Sequence, residues 1–121
     1  MDHSAAFLGL IDSVHSTVRD ATVEQTRDRL RENPALQLVD VREDNEWAAG
    51  HAAGASHLGK GVIERDIEAK IPDKNAEIIL YCGGGFRSVL AADAIQKMGY
   101  TNVASMAGGW RGWKAAGAPV E

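Results

Sequence analysis

Glu77-Ile78-Ile79-Leu80-Tyr81, followed by Cys82-Gly83-Gly84-Gly85-Phe86-Arg87-Ser88, is the stretch around which the rest of the chain is organised. The first five residues predict a buried β-strand and Ser88 to Met98 a helix, so Cys82, the only cysteine, begins the turn between them. Parallel α/β sheets place their chemistry at such strand ends. Each of three successive glycines is roughly 0.5 to 1 kcal/mol worse than alanine in regular structure, which points to backbone geometry that a Cβ would obstruct. A cradle of inward-pointing N–H groups, completed by the positive end of the following helix, would stabilise an anion, and the Cys82 sulfur is placed to be that anion. A free thiol of pKa about 8.5 is only roughly 3% ionised at neutral pH, and a shift of two units downward takes about 2.7 kcal/mol, within reach of a few charge-assisted hydrogen bonds. The bland alternative makes Cys82 a small buried hydrophobe at a strand end. The glycines, Arg87 and the strand-to-helix setting favour the reactive reading.

Outward from this centre, strands and helices alternate. Phe7, Leu10, Ile11 and Val14 recur at helical spacing behind a Ser4 cap, predicting a short amphipathic helix that packs on its own domain. Val18 to Ala21 reads as an edge strand, and Thr22 with Gln25 as a capping box opening a helix that Asn33-Pro34 stops. Leu36 to Val41 is apolar enough for a central strand, bracketed at its end by Asp40 and Arg42. Glu43-Asp44 opens a helix through Ala49 that Gly50-His51 terminates, and a short strand lies within Ala52 to Leu58. Val62 to Ile71 reads as a helix, Gly99 caps the helix after the glycine loop, Val103 to Met106 is a last strand, and Gly108-Gly109 leads into a helix carrying Trp110 and Trp113. The expected fold is α/β, three-layered, with a mainly parallel central sheet flanked by helices. The domain division is an N-terminal helical extension at 1–17 and a main domain at 18–121.

Composition sets the outer bounds. A chain of 121 residues supports one core without staples, and 45% hydrophobic with 25% charged residues is ordinary for a globular protein. A single cysteine excludes an internal disulfide and suits a reducing compartment. A net charge of −4 argues against general nucleic-acid binding, and four scattered histidines with one cysteine lack zinc-ligand spacing. With no basic leader and no apolar run of membrane-spanning length, the expectation is a cytoplasmic protein with no membrane partner. The glycines lack the lysine of a phosphate-binding loop, so no nucleotide or other cofactor is expected.

The same residues resemble a known family. The step from a cysteine at a strand end to an arginine five positions on, Cys82 to Arg87, is similar to the active loop of the single-domain rhodanese sulfurtransferases. Leu38-Val39-Asp40-Val41-Arg42-Glu43, Glu46-Trp47 with Gly50-His51 and Gly54-Ala55, and Ala107-Gly108-Gly109-Trp110 resemble the family's other signatures, so the likeness runs over Val18 to Glu121. The chain departs from the pattern at Ala52-Ala53 and at His57.

The resemblance implies a two-step sulfur transfer. Cys82 takes the outer sulfur of a small anionic donor such as thiosulfate, holds it as a persulfide, and passes it to cyanide or a thiol acceptor, which includes a protein acceptor. Gly83, Gly84, Gly85, Phe86, Arg87 and Ser88 would form the substrate cradle through their backbone N–H groups, with Arg87 either positioning the donor's anionic end or pairing with a carboxylate or carbonyl. Ser88 alternatively caps the helix. Asp40 and Arg42 are supporting residues that fix a strand end. Lys60, His57 and Arg111 are read as solvated surface that adds positive potential if near the pocket mouth, and Trp47, Trp110 and Trp113 as packing, Trp110 being the one to reach the site wall. Two alternatives stand beside this: a persulfide relay or binding module acting with a partner protein, and a cysteine-dependent phosphatase, whose loop is one residue longer than Cys82 to Arg87.

Overall fold

In the computed structural model, residues 3–121 are described; Met1 and Asp2, which begin the 1–17 segment, lie outside the described residues. Strands β1 (Arg19–Ala21), β2 (Gln37–Asp40), β3 (Ser56–His57), β4 (Ile78–Tyr81) and β5 (Val103–Met106) form a sheet in the order β1-β5-β4-β2-β3, every neighbouring pair parallel. Between and around them run α1 (Ala5–His15), α2 (Val23–Glu32), α3 (Asp44–Ala49), α4 (Ile63–Lys70), α5 (Arg87–Lys97) and α6 (Gly109–Ala115). An isolated antiparallel bridge joins Ala52 to Val120.

Strand β4 is central and buried on both faces. Ile78 and Leu80 enter one apolar cluster with Val39, Val89 and Ile95, while Ile79 and Tyr81 enter the other with Leu38, Met106 and Trp113. Burying a side chain of this size contributes roughly 1.5 to 3 kcal/mol, so the alternation fixes the register of β4 from both sides. Cys82 continues the Ile78 and Leu80 face. Ile11 of α1, Ile63 and Ile67 of α4 and Val89 and Ile95 of α5 cover this face; Val23 and Leu30 of α2 and Trp113 of α6 cover the other. The result is the three-layer α/β architecture.

Local signals set the element ends. Phe7 N–H donates to Ser4 Oγ at 3.1 Å to start α1. Thr22 and Gln25 exchange bonds of 2.9 and 3.0 Å as a capping box for α2. Helix α5 starts one residue before the expected Ser88, behind Phe86, so Ser88 lies in its first turn and is not its cap. Gly99, at φ +106°, follows its end in a conformation that favours glycine. No helix among the described residues is long and apolar enough to cross a membrane.

The strand order creates a crevice. From β2 the chain moves outward to β3, whereas from β4 it moves the opposite way to β5, so the segments leaving the adjacent carboxyl ends of β2 and β4 diverge. One carries Glu46, the other Cys82.

Candidate active site

Three contacts shape the loop after β4. Cys82 C=O accepts from Trp110 N–H at 2.7 Å and Gly83 C=O from Arg111 N–H at 3.2 Å, clamping the loop to the start of α6. The clamp requires Gly109, where a Cβ would sit 2.3 Å from the Cys82 carbonyl oxygen. With its carbonyls held by α6, the loop turns back through Gly85, at φ +104°, whose N–H donates to Cys82 Sγ at 3.1 Å.

Among the described residues the sulfur has one further hydrogen-bonding neighbour. Ser88 Oγ lies 3.5 Å from Sγ, and Ser105 Oγ, from β5, lies 2.7 Å behind Ser88. All three side chains are buried, so the two hydroxyls form a short relay that ends on sulfur. Among the described residues the Gly85 N–H is the one backbone amide hydrogen-bonded to the sulfur. Ser88 meets the sulfur with its hydroxyl, and Ser105 has no mark in the sequence near the loop.

Cys82 is only 1% exposed, yet it forms the floor of a cavity of about 590 Å3. Gly83, Gly84, Phe86 and Arg87 of the loop line it with Glu46 and Trp110; Gly85 and Ser88 do not. His3 and Phe7 complete the wall, their rings 4.7 and 6.2 Å from that of Phe86. The N-terminal helix therefore contributes to the site as well as to the core. Periodicity shows its apolar stripe, not what the stripe meets.

Arg87 gives two hydrogen bonds, 2.8 and 3.1 Å, to the two oxygens of Glu46. Glu46 also accepts from Glu43 N–H at 3.0 Å, which fixes it at the start of α3. The Arg87 hydrogen bonds, opposed by partial burial, bring the Glu46 carboxyl down to about 2, and Glu46 in turn holds Arg87 above its ordinary value. Arg111, expected at the solvated surface, reaches the cavity because its backbone is tied to Gly83. His57 is instead half-buried, bonded to Arg42 C=O at 2.8 Å and stacked 5.0 Å from Trp47, so it adds nothing at the mouth; Lys60 does not line the cavity either.

Asp40 and Arg42 stand behind this wall. Arg42 gives its N–H, Nε and Nη2 to the Asp40 carboxylate at 2.7 to 3.0 Å, and Nη2 also reaches Gly50 C=O at 2.7 Å. Burial opposes the Arg42 charge, but the hydrogen bonds and charge of Asp40 outweigh it and raise its pKa. The guanidinium lies 4.8 Å from the Trp110 ring, so the pair braces β2, the end of α3 and the cavity wall together. Trp113 is packed, its indole N–H bonded to Pro119 C=O at 2.7 Å. Among the described residues no cluster of three or more histidine, cysteine or acidic side chains is arranged for a metal ion.

The chain is 35% identical over 92 residues to the thiosulfate sulfurtransferase GlpE of Pseudomonas aeruginosa, covering 76% of this chain and 80% of that protein. It is 30% identical over 98 residues to the putative sulfur carrier protein YrkF of Bacillus subtilis, covering 81% of this chain but only 52% of the Bacillus protein, so it spans about half of that relative's length. A solved structure from Rhodopseudomonas palustris, described as a protein of unknown function and possible tyrosine phosphatase, superposes with a TM-score of 0.83 at 25% identity, covering 100% of this chain and 99% of that one. Residues 22–116 match the rhodanese-like domain, and the chain belongs to the rhodanese-like domain family.

Proposed function

We propose that the chain is a sulfurtransferase that carries a sulfane sulfur on Cys82, taking it from thiosulfate or another persulfide-type donor and giving it to cyanide or a thiol, including a thiol on a protein. The observation that carries this reading is the Cys82 sulfur at the cavity floor, bonded by the Gly85 N–H at 3.1 Å and backed by the Ser88 hydroxyl. Both donors favour a negatively charged sulfur, and α5 directs the positive end of its dipole toward the loop.

In the first step the Cys82 thiolate attacks the outer sulfur of thiosulfate. A sulfur–sulfur bond forms, the donor's own sulfur–sulfur bond breaks, and its electron pair leaves with sulfite. The persulfide carries one negative charge, as the thiolate did. In the second step cyanide attacks the terminal sulfur, a carbon–sulfur bond forms, and the breaking bond returns its pair to Cys82 as thiocyanate departs. No proton changes hands, which suits a site whose polar groups at the sulfur are N–H and O–H donors. Gly83, Gly84, Phe86 and Arg87 line the space for donor and acceptor, Gly85 and Ser88 hold the sulfur charge, and Asp40 with Arg42 keep the wall in place.

Phosphatase chemistry would require several loop amides converging on a tetrahedral oxyanion. The loop here has four residues between Cys82 and Arg87, one fewer than the phosphatase loop, and that shorter span favours sulfur transfer.

Turnover of thiosulfate and cyanide to thiocyanate by the wild-type chain, set against Cys82→Ser, tests the proposal. The serine variant should keep the wild-type circular dichroism and lose transfer altogether. Thiocyanate formation by folded Cys82→Ser, or hydrolysis of a phosphate ester without sulfur transfer by the wild type, would overturn it.

A further inference from the structure

Two guanidinium groups reach the cavity above Cys82, and their electrostatic situations differ. Arg87 is engaged by both oxygens of Glu46, so the cavity meets that pair as a nearly neutral unit. The Arg111 side chain has neither an ion pair nor a hydrogen bond among the described residues, although it borders the same cavity as Cys82. Of the formally charged side chains among the described residues lining that space, Glu46, Arg87 and Arg111, the last is the one without an opposite charge beside it.

Its position is built into the loop. Arg111 N–H bonds Gly83 C=O at 3.2 Å, which places the side chain over the glycines. A Cβ on Gly84 would come within 3.2 Å of Arg111 Nη2 and 3.6 Å of Cζ, and one on Gly83 within 3.1 Å of Arg87 Nη2. The first two glycines thus leave room for two guanidinium groups to lie against the backbone beside the nucleophile. No other group among the described residues uses the Arg111 N–H donors, and a planar guanidinium is suited to two oxygens of one anion.

We propose that Arg111 is the specificity-determining residue of the site: it binds the oxyanion end of a donor of the thiosulfate or thiosulfonate class, a sulfane sulfur joined to a sulfonate group, while Arg87 is kept in place by Glu46. This rests on the sulfur-transfer reading for the identity of the donor, but the anion subsite itself rests on Arg111, Gly84 and the cavity. A thiolate attacking an anion faces like-charge repulsion, and one uncompensated cation within a few ångströms offsets it in a partly water-excluded site.

Because the chain has a single cysteine, alkylation reads Cys82 alone. Iodoacetate and iodoacetamide share a leaving group and nearly a shape but differ by a negative charge, so the ratio of their rates reports the subsite without any sulfur transfer. Arg111→Gln should lower the iodoacetate rate about tenfold, the effect of losing one close charge–charge contact, and leave the iodoacetamide rate within about twofold, as expected for an exposed residue that is no part of the fold's core. Arg111→Lys should keep most of the wild-type ratio, and added salt should erode it in the wild type only. In turnover, Arg111→Gln should raise the KM for thiosulfate and spare kcat. An unchanged iodoacetate-to-iodoacetamide ratio in folded Arg111→Gln would overturn the subsite, whatever the turnover. If the ratio falls as expected but wild type forms no thiocyanate, the subsite stands and the sulfur-transfer reading fails.

Discussion

The two arginine–carboxylate pairs beside the crevice differ in what they leave unused. Arg42 and Asp40 are 3% and 0% exposed, joined by several bonds, and Arg42 gives a further one to Gly50, so the pair is closed off from a ligand in the crevice. Arg87 and Glu46 are each 32% exposed and border the cavity, where Arg87 retains N–H groups that Glu46 does not take. The same two residue types therefore brace a wall in one place and border a reaction space in the other. Burial decides which, and Arg111, which has no such partner among the described residues, is the far end of that series.

Removing one member of the buried pair should have the largest effect. Asp40→Ala leaves the Arg42 guanidinium charged and without its carboxylate in the interior, and the loss of stability should be about 3 to 5 kcal/mol. Urea denaturation measures it; a loss below about 1 kcal/mol would mean that water reaches Arg42 and would erase the contrast between the two pairs.

The half-exposed pair should matter less, with a defined pH window. Because the folded-state Glu46 carboxyl lies near 2, below its ordinary 4.5, its contribution is fully present above about pH 4.5 and disappears as pH falls toward 2. With solvent screening, the contribution should be only about 1 kcal/mol. Wild type minus Glu46→Gln stability, followed by urea denaturation from pH 6 to pH 2, should shrink across that window; a difference that grew on acidification would contradict the pairing.

Most of the fold can be read from local order because β4 is a continuous apolar run, because apolar residues recur every three or four positions in the helices, and because Thr22, Gln25 and Gly99 mark helix ends by short-range chemistry. Cys82 is legible for the same reason: the glycine run and the turn are contiguous with it. What stayed hidden depends on chain closure. Glu46 and Arg87 are 41 positions apart, and Ser88 and Ser105 17 apart. Nothing in either neighbourhood announces the partner. Arg111 looks like an ordinary helix-surface cation until the clamp on Gly83 brings it over the loop, and the Phe7 face is defined only by where Phe86 comes to lie. A glycine run reveals that close approach is needed, but not whether the approaching group is sulfur, a guanidinium or the carbonyls held by α6.

Sulfur transfer by this chain requires that the Cys82 sulfur, held by Gly85 and Ser88, accept and carry another sulfur. Mass spectrometry of the intact protein and of its Cys82 peptide after exposure to thiosulfate tests this most directly. The expected result is one added sulfur on Cys82, absent from Cys82→Ser and removed by cyanide with formation of thiocyanate. A folded wild-type protein whose Cys82 remains an unmodified thiol after exposure to thiosulfate and to an organic persulfide would contradict the account.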